Sequence, residues 1–220
     1  NLFDRGDDAC IVHNVSRGVY QYRSASGENP GPATLVIHCF PIDHAAFARF
    51  YLTGVHAVTP SVRQIPPETL DPKIKHRSRM AGQMADLEVA RIDPDAMAVL
   101  MDHDGNLTEN TGGNFFLVID GVVRTPTSRN VLEGISRATV LELCAELGIH
   151  HSEEILQPYH AIVADEAFLT STPYSVLPVT RFNGKDVGDG QVGPVTSRLL
   201  SAWSERVGVD IVDQALAATR

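Results

Sequence analysis

A lone acid and a helix opening frame the most chemically suggestive part of this sequence. Glu109 sits between an apolar strand position and the small polar run Asn110-Thr111-Gly112-Gly113-Asn114, where a carboxylate has no evident solvation role. Gly134-Ile135-Ser136 opens a helix, and the first turn of a helix offers an anion N–H groups that lack intrahelical partners. An acid and an anion seat on either side of a hairpin suit a charged, phosphorylated cofactor. A plainer reading stands beside this one: Ser136 caps its helix, and Glu109 faces water.

The elements that position these groups run from Asp102 to Gly148. Asp104-Gly105-Asn106 is a tight turn, since these residues tolerate the backbone angles turns demand. Phe115 to Ile119 is an apolar strand, Asp120-Gly121 a hairpin turn and Val122-Val123 the returning strand. Val140, Leu141, Leu143, Cys144 and Leu147 recur at helical spacing after Ser136, and Gly148 ends that helix. Earlier, Cys10 to Val15 and Thr34 to Phe40 read as strands separated by the loop Ser24 to Pro32, and Pro41 to Thr53 as a connection. Gly54 to Thr59 and Ala98 to Met101 read as strands. His76 to Arg91 reads as a helix with apolar positions Met80, Met84, Leu87 and Val89-Ala90. Downstream, Ile162 to Ala164, Ala167 to Leu169 and Val176 to Val179 are short apolar segments. Phe182 to Lys185 is a hairpin turn, and Val195 to Val207 a closing amphipathic helix.

Composition bounds the function. The 220 residues carry 18 basic and 27 acidic side chains, a formal net charge of -9, which argues against a nucleic-acid surface and an anionic membrane partner. No apolar run is long enough to span a bilayer, and the three scattered cysteines, Cys10, Cys39 and Cys144, read as free thiols in a reducing, cytoplasmic compartment. DHDGNLTEN from Asp102 is no EF-hand, because the positions that need glycine and glutamate hold Leu107 and Gly113. The nine histidines show no zinc spacing, and neither a G-x-S-x-G elbow nor a P-loop is present.

Five pieces in a fixed order resemble the class IV aminotransferases, the fold-type IV family that uses pyridoxal 5'-phosphate. They are Lys75 in IKHRSRM, Thr108-Glu109 followed by Gly113-Asn114, DGVVRTP at 120–126, LEGISR at 132–137 and LTSTP at 169–173. Branched-chain, D-amino-acid and (R)-amine transaminases and aminodeoxychorismate lyase belong to this family. The resemblance implies an α+β chain in three parts. Residues 1–42 would be the remnant of a small N-terminal α/β domain, 43–53 the interdomain connection, and 54–220 a larger cofactor-binding domain with a β-barrel-like sheet and flanking helices. It also implies a homodimer acting on an amino donor and a keto-acid acceptor. The lyase and a non-catalytic interaction module are the alternatives.

The resemblance also assigns residues. Lys75 becomes the Schiff-base lysine, preferred over Lys73 because the family pattern is an apolar residue, the lysine and then a helix start. Where the family often has asparagine three positions later, this sequence has Ser78. Glu109, 34 positions beyond the lysine (109 − 75), becomes the partner of the pyridinium nitrogen, keeping the ring an electron sink. Asn114 belongs to the cofactor-binding set. Ile135, Ser136, Ser171 and Thr172 become the phosphate seat, with Thr172 also near the substrate carboxylate and Arg17 near the entrance. That seat has only neutral donors, whereas a guanidinium fork is the usual complement of a phosphate. The expectation is therefore that further residues before Asn1 supply an arginine, with Arg129 and Arg137 as the substitutes in hand.

Overall fold

The computed structural model describes residues 8–18 and 32–220 and divides the chain into two compact units, 1–43 and 44–220. Expectations for residues 1–7 and for most of the loop after Ser24 lie outside the described residues. In the first unit, β1 (Ala9–Ser16) and β2 (Thr34–Pro41) pair antiparallel from Ala9↔Pro41 to Ser16↔Thr34. Cys10 faces Phe40 and Cys39 faces Ile11. Neighbouring positions on a strand point to opposite faces, so these two thiols do not meet.

The second unit begins where the connection was expected. Residues 44–53 form two single-turn helices, α1 (Ala45–Ala48) and α2 (Phe50–Thr53), and send Ala48 and Tyr51 into the core. The strands that follow are β3 (Val55–Val58), β4 (Met97–Met101), β5 (Leu107–Asn110), β6 (Gly113–Ile119), β7 (Val122–Pro126), β8 (His151–Glu154), β9 (Glu166–Ser171), β10 (Ser175–Phe182) and β11 (Lys185–Asp186). They form one nine-stranded sheet ordered β11-β10-β3-β4-β5-β6-β7-β8, with β9 joining β10 to β6. That extra pairing closes β3, β4, β5, β6, β9 and β10 into a ring, so the sheet is a barrel with β7, β8 and β11 as branches. β6 explains its unbroken apolar run in this way, since Asn114 to Val118 are buried on both faces. Phe116 stacks on Phe168 of β9 at 4.8 Å between ring centroids.

Turn chemistry fixes the hairpins. Asp120 and Gly121 (φ 53 and 73), and likewise Asn183 and Gly184 (φ 47 and 80), take the left-handed pair of angles that a two-residue hairpin requires. Helices α4 (Ile135–Glu146) and α5 (Pro158–Ile162) flank β8 in the chain, α6 (Pro194–Val207) and α7 (Ile211–Ala217) come after β11, and Val140, Leu143, Cys144, Leu199 and Ala215 are buried. Burial pushes the Cys144 thiol up to about 11.

The helix expected over His76 to Arg91 is shorter and turned the other way. It spans Met80–Val89 as α3, and residues 73–79 are irregular backbone with a turn and bends. Its buried residues are the small Ala85 and the β-branched Val89, packed on Val58, Ala98 and Leu100. Met80, Met84 and Leu87 face outward at 71%, 55% and 67% exposure. The helical spacing of the large apolar residues thus marked the outer face, because alanine brings the helix close to the sheet.

Candidate active site

Glu109 is built into β5. Its neighbours Thr108 and Asn110 tie the strand to β4 by donating to the carbonyls of Leu100 (3.0 Å) and Ala98 (2.8 Å). The carboxylate itself accepts three hydrogen bonds: Gln64 Nε2 at 2.8 Å, the Leu132 N–H at 2.9 Å and Asn114 Nδ2 at 3.3 Å. Burial nonetheless pushes its pKa up to about 7, the opposing donors and the charges of Lys75 and Arg79 being the smaller effects. Glu109 therefore does not simply face water.

Asn114, opposite Glu109 on β6, also donates to the Leu132 carbonyl at 2.9 Å and so links the acid to the turn that starts α4. That turn needs Gly134. A Cβ there would sit 2.3 Å from the Asn114 Oδ1. Gly134 is the residue before the helix, in extended conformation with no side-chain cap, so Ser136 does not cap α4. The Ser136 side chain is buried, and its hydroxyl makes no hydrogen bond among the described residues. The Ile135 and Ser136 N–H groups belong to the first turn, which has no acceptor within the helix.

Lys75 approaches from a different kind of structure. Asp71 organises the preceding turn, its carboxylate accepting from the Lys73 N–H at 3.0 Å and its carbonyl from the Ile74 N–H at 3.0 Å. Lys73 Nζ pairs with that carboxylate at 3.5 Å, whereas Lys75 is exposed and makes no ion pair among the described residues.

Lys75, Glu109, Asn114, Ile135, Ser136, Ser171 and Thr172 all line one cavity of about 320 Å³. Lys73 does not line it, and Ser78 does. The Ser171 hydroxyl donates to the Gly112 carbonyl at 2.7 Å. Thr172 is exposed at the rim, and Arg17 is an exposed residue of the other unit. Both substitute arginines are engaged elsewhere, Arg129 with Glu68 at 2.5 Å and buried Arg137 with Glu153 at 2.7 Å and the Pro126 carbonyl. Sequence reasoning missed Gln64 and Arg79, which also line the cavity. Asp102 is consumed by its own turn, accepting from the Asp104 and Asn106 N–H groups and from Asn130 Nδ2. No group of three metal-binding side chains occurs among the described residues.

The family model for amino-transferase class IV matches residues 2–182. The chain belongs to the class IV aminotransferases. Among curated class IV relatives, the branched-chain-amino-acid aminotransferase of Salmonella typhimurium is 31% identical over 181 residues, covering 80% of this chain and 59% of that protein. The Pseudomonas aeruginosa enzyme of the same name is 38% identical over 110 residues, which is 50% of this chain and 36% of its own. Among solved class IV structures, the branched-chain aminotransferase of Thermobaculum terrenum in its PLP form superposes with a TM-score of 0.80 at 27% identity, covering 90% of this chain and 64% of that one. The Escherichia coli enzyme gives a TM-score of 0.79 at 29% identity over 90% of this chain and 65% of that one. The chain thus spans about three fifths of the Salmonella protein's length. No helix among the described residues is long and apolar enough to cross a membrane.

Proposed function

We propose that the protein is a pyridoxal 5'-phosphate-dependent aminotransferase that moves an amino group between an amino acid or amine and a 2-keto acid. The observation that carries this reading is the meeting, in one cavity, of a lysine with no ion pair among the described residues, a desolvated acid and an uncapped helix start. These groups fit the cofactor. The Ile135 and Ser136 N–H groups and the Ser136 hydroxyl suit its phosphate, the Lys75 amine suits its aldehyde, and Glu109 suits its ring nitrogen. A carboxylate held near pH 7 by burial gains most from a cationic N–H donor, which draws it back to the ionised form.

When bound, pyridoxal 5'-phosphate supplies an aldehyde that captures an amine and a ring that accepts the electron pair left by the substrate Cα proton. Lys75 takes that proton as general base and returns it as general acid. Glu109 holds the proton on the ring nitrogen, and Gln64, Asn114 and the Leu132 N–H hold Glu109. Thr172 at the rim meets the substrate. The apolar wall of Ile65, Leu70 and Leu100 keeps water from the reacting atoms.

Branched-chain amino acids with 2-oxoglutarate are the first pair to try. The names of the relatives support the donor, and a solved neighbour carrying N-(5'-phosphopyridoxyl)-L-glutamate, at 27% identity, supports the acceptor. D-amino acids and (R)-amines belong in the same panel. A homodimer and a cytoplasmic location complete the reading, supported by the exposed outer face of α3 and by the three free cysteines. The test is spectroscopic. The purified protein with added cofactor should show a long-wavelength band that borohydride abolishes, leaving a phosphopyridoxyl label on Lys75. A protein that takes up no cofactor, or a label on Lys73, would overturn the assignment.

A further inference from the structure

Arg79 is the guanidinium of the cavity wall, and it stands immediately before α3. It is exposed, and among the described residues it forms no ion pair with a carboxylate. Its Nη2 donates instead to the Thr111 carbonyl at 2.6 Å. The next carbonyl, Gly112, accepts the Ser171 hydroxyl at 2.7 Å. Two donors from different parts of the cavity wall therefore rest on two successive carbonyls of one bend. Backbone carbonyls are weaker partners for a guanidinium than a carboxylate, whose two oxygens match the planar fork. Thr172, beside Ser171, lines the same cavity and makes no hydrogen bond among the described residues. Arg79, Ser171 and Thr172 thus form a donor set that lies apart, in the chain and in its partners, from the uncapped start of α4.

We propose that Arg79 is a specificity-determining residue that binds a carboxylate of the substrate, with the Thr111 carbonyl as its resting partner. The incoming carboxylate takes the guanidinium N–H groups from Thr111 and the hydroxyl of Thr172. No bond is made or broken beyond these hydrogen bonds. The carboxylate comes from one of two places on a substrate: beside the reacting carbon, or at the far end of a dicarboxylic acid. This assignment rests on the aminotransferase reading and deepens it, naming the charge that selects acids over simple amines. Exposure at the wall, away from the start of α4, favours a substrate that comes and goes over a phosphate that stays.

The test uses the cofactor-loaded protein and two unreactive acids, glutarate and pentanoate, titrated by calorimetry into wild type, Arg79→Gln, Arg79→Lys and Arg77→Gln. Arg77 carries the same charge outside the cavity and is the control. In Arg79→Gln, glutarate should bind about 10- to 100-fold more weakly, the range expected for a lost charge-assisted hydrogen bond. Arg79→Lys should recover part of that loss, and Arg77→Gln should bind as wild type does. A loss confined to glutarate assigns Arg79 to the far carboxylate, and an equal loss for both acids assigns it to the near one. Either result supports the proposal. Unchanged binding of both acids in Arg79→Gln overturns it. So does a variant whose affinity for pyridoxal 5'-phosphate falls instead, and so does a wild type that binds neither acid. Failure of the aminotransferase reading is a separate result, seen as absence of the visible band from wild type before any acid is added.

Discussion

The two walls of the cavity are built differently. The wall of β5, β6 and the start of α4 is fixed: Glu109 sits in a strand, three donors hold its carboxylate, and Asn114 ties it to the Leu132 turn. The wall of residues 71–79 is irregular backbone with one turn, and Lys75 projects from it with no ion pair among the described residues. The difference matches the tasks. A group that only stabilises charge works best when its surroundings are preorganised. A group that must hold an aldehyde, let go and carry a proton needs freedom to move.

The largest expected effect tests the loose wall. Lys75→Ala should lower turnover by about 10,000-fold or more and remove the visible band, while Lys73→Ala, whose amine is paired with Asp71, should keep both. Steady-state kinetics and absorbance spectra check this. Equal losses in the two variants would mean that the turn as a whole matters and Lys75 is not special.

Next comes the fixed wall. Glu109→Gln should retain cofactor yet lose roughly 100- to 1,000-fold in turnover, the scale of removing one preorganised electrostatic group. It should also change how stability depends on pH when no cofactor is bound. In the folded chain Glu109 titrates near 7, against 4.5 unfolded, so between these values the folded state binds more protons. Stability therefore falls as pH rises from about 4.5 through about 7, by roughly 3 kcal/mol for this group. Denaturant melts across that range should show the fall in wild type and its loss in Glu109→Gln.

Glu166 sharpens the contrast because it is an equally well-held acid away from the cavity. Its carboxylate accepts the Val195 N–H, the Thr196 N–H and the Thr196 hydroxyl at 2.7–2.8 Å, capping α6 from another strand. Glu166→Ala should cost about 2–3 kcal/mol of stability and leave turnover per folded molecule unchanged. The smallest effect is at the joint between acid and helix. Gly134→Ala should cost about 1 kcal/mol as Asn114 shifts away from the new methyl group, with a loss in cofactor affinity measurable by titration.

The sequence signalled those parts of the molecule whose demands are local. Asp120-Gly121 and Asn183-Gly184 advertise left-handed angles, β6 is a run of large apolar residues, and Gly148 (φ 66) stops α4. β8 was invisible because HSEE has no apolar alternation, and it is a strand only through parallel pairing with Val123 to Pro126. α5 and α7 are too short for helical periodicity to register. α3 was misread because its large apolar residues lie on the outer face. Within the site, Lys75, Glu109 and Ser136 were reachable through their neighbours. Gln64 was not: it lies 45 positions from Glu109 and arrives because its N–H bonds to the Met101 carbonyl. The same limit hid Arg79, whose partner carbonyl belongs to the turn between β5 and β6.

The closed ring of strands has a consequence for how the chain is made. β3 pairs in parallel with both its neighbours, and one of them is β10, with Val55 against Val179. A parallel neighbour cannot be supplied by a nearby hairpin, so β3 has one unpaired edge until residues 175–182 have been synthesised. During synthesis the apolar β3 must therefore wait while more than a hundred residues are added, the kind of contact that slows folding most. Ribosome-bound chains stopped before Ser175 should remain open to protease, and protection should appear once Phe182 has cleared the exit tunnel.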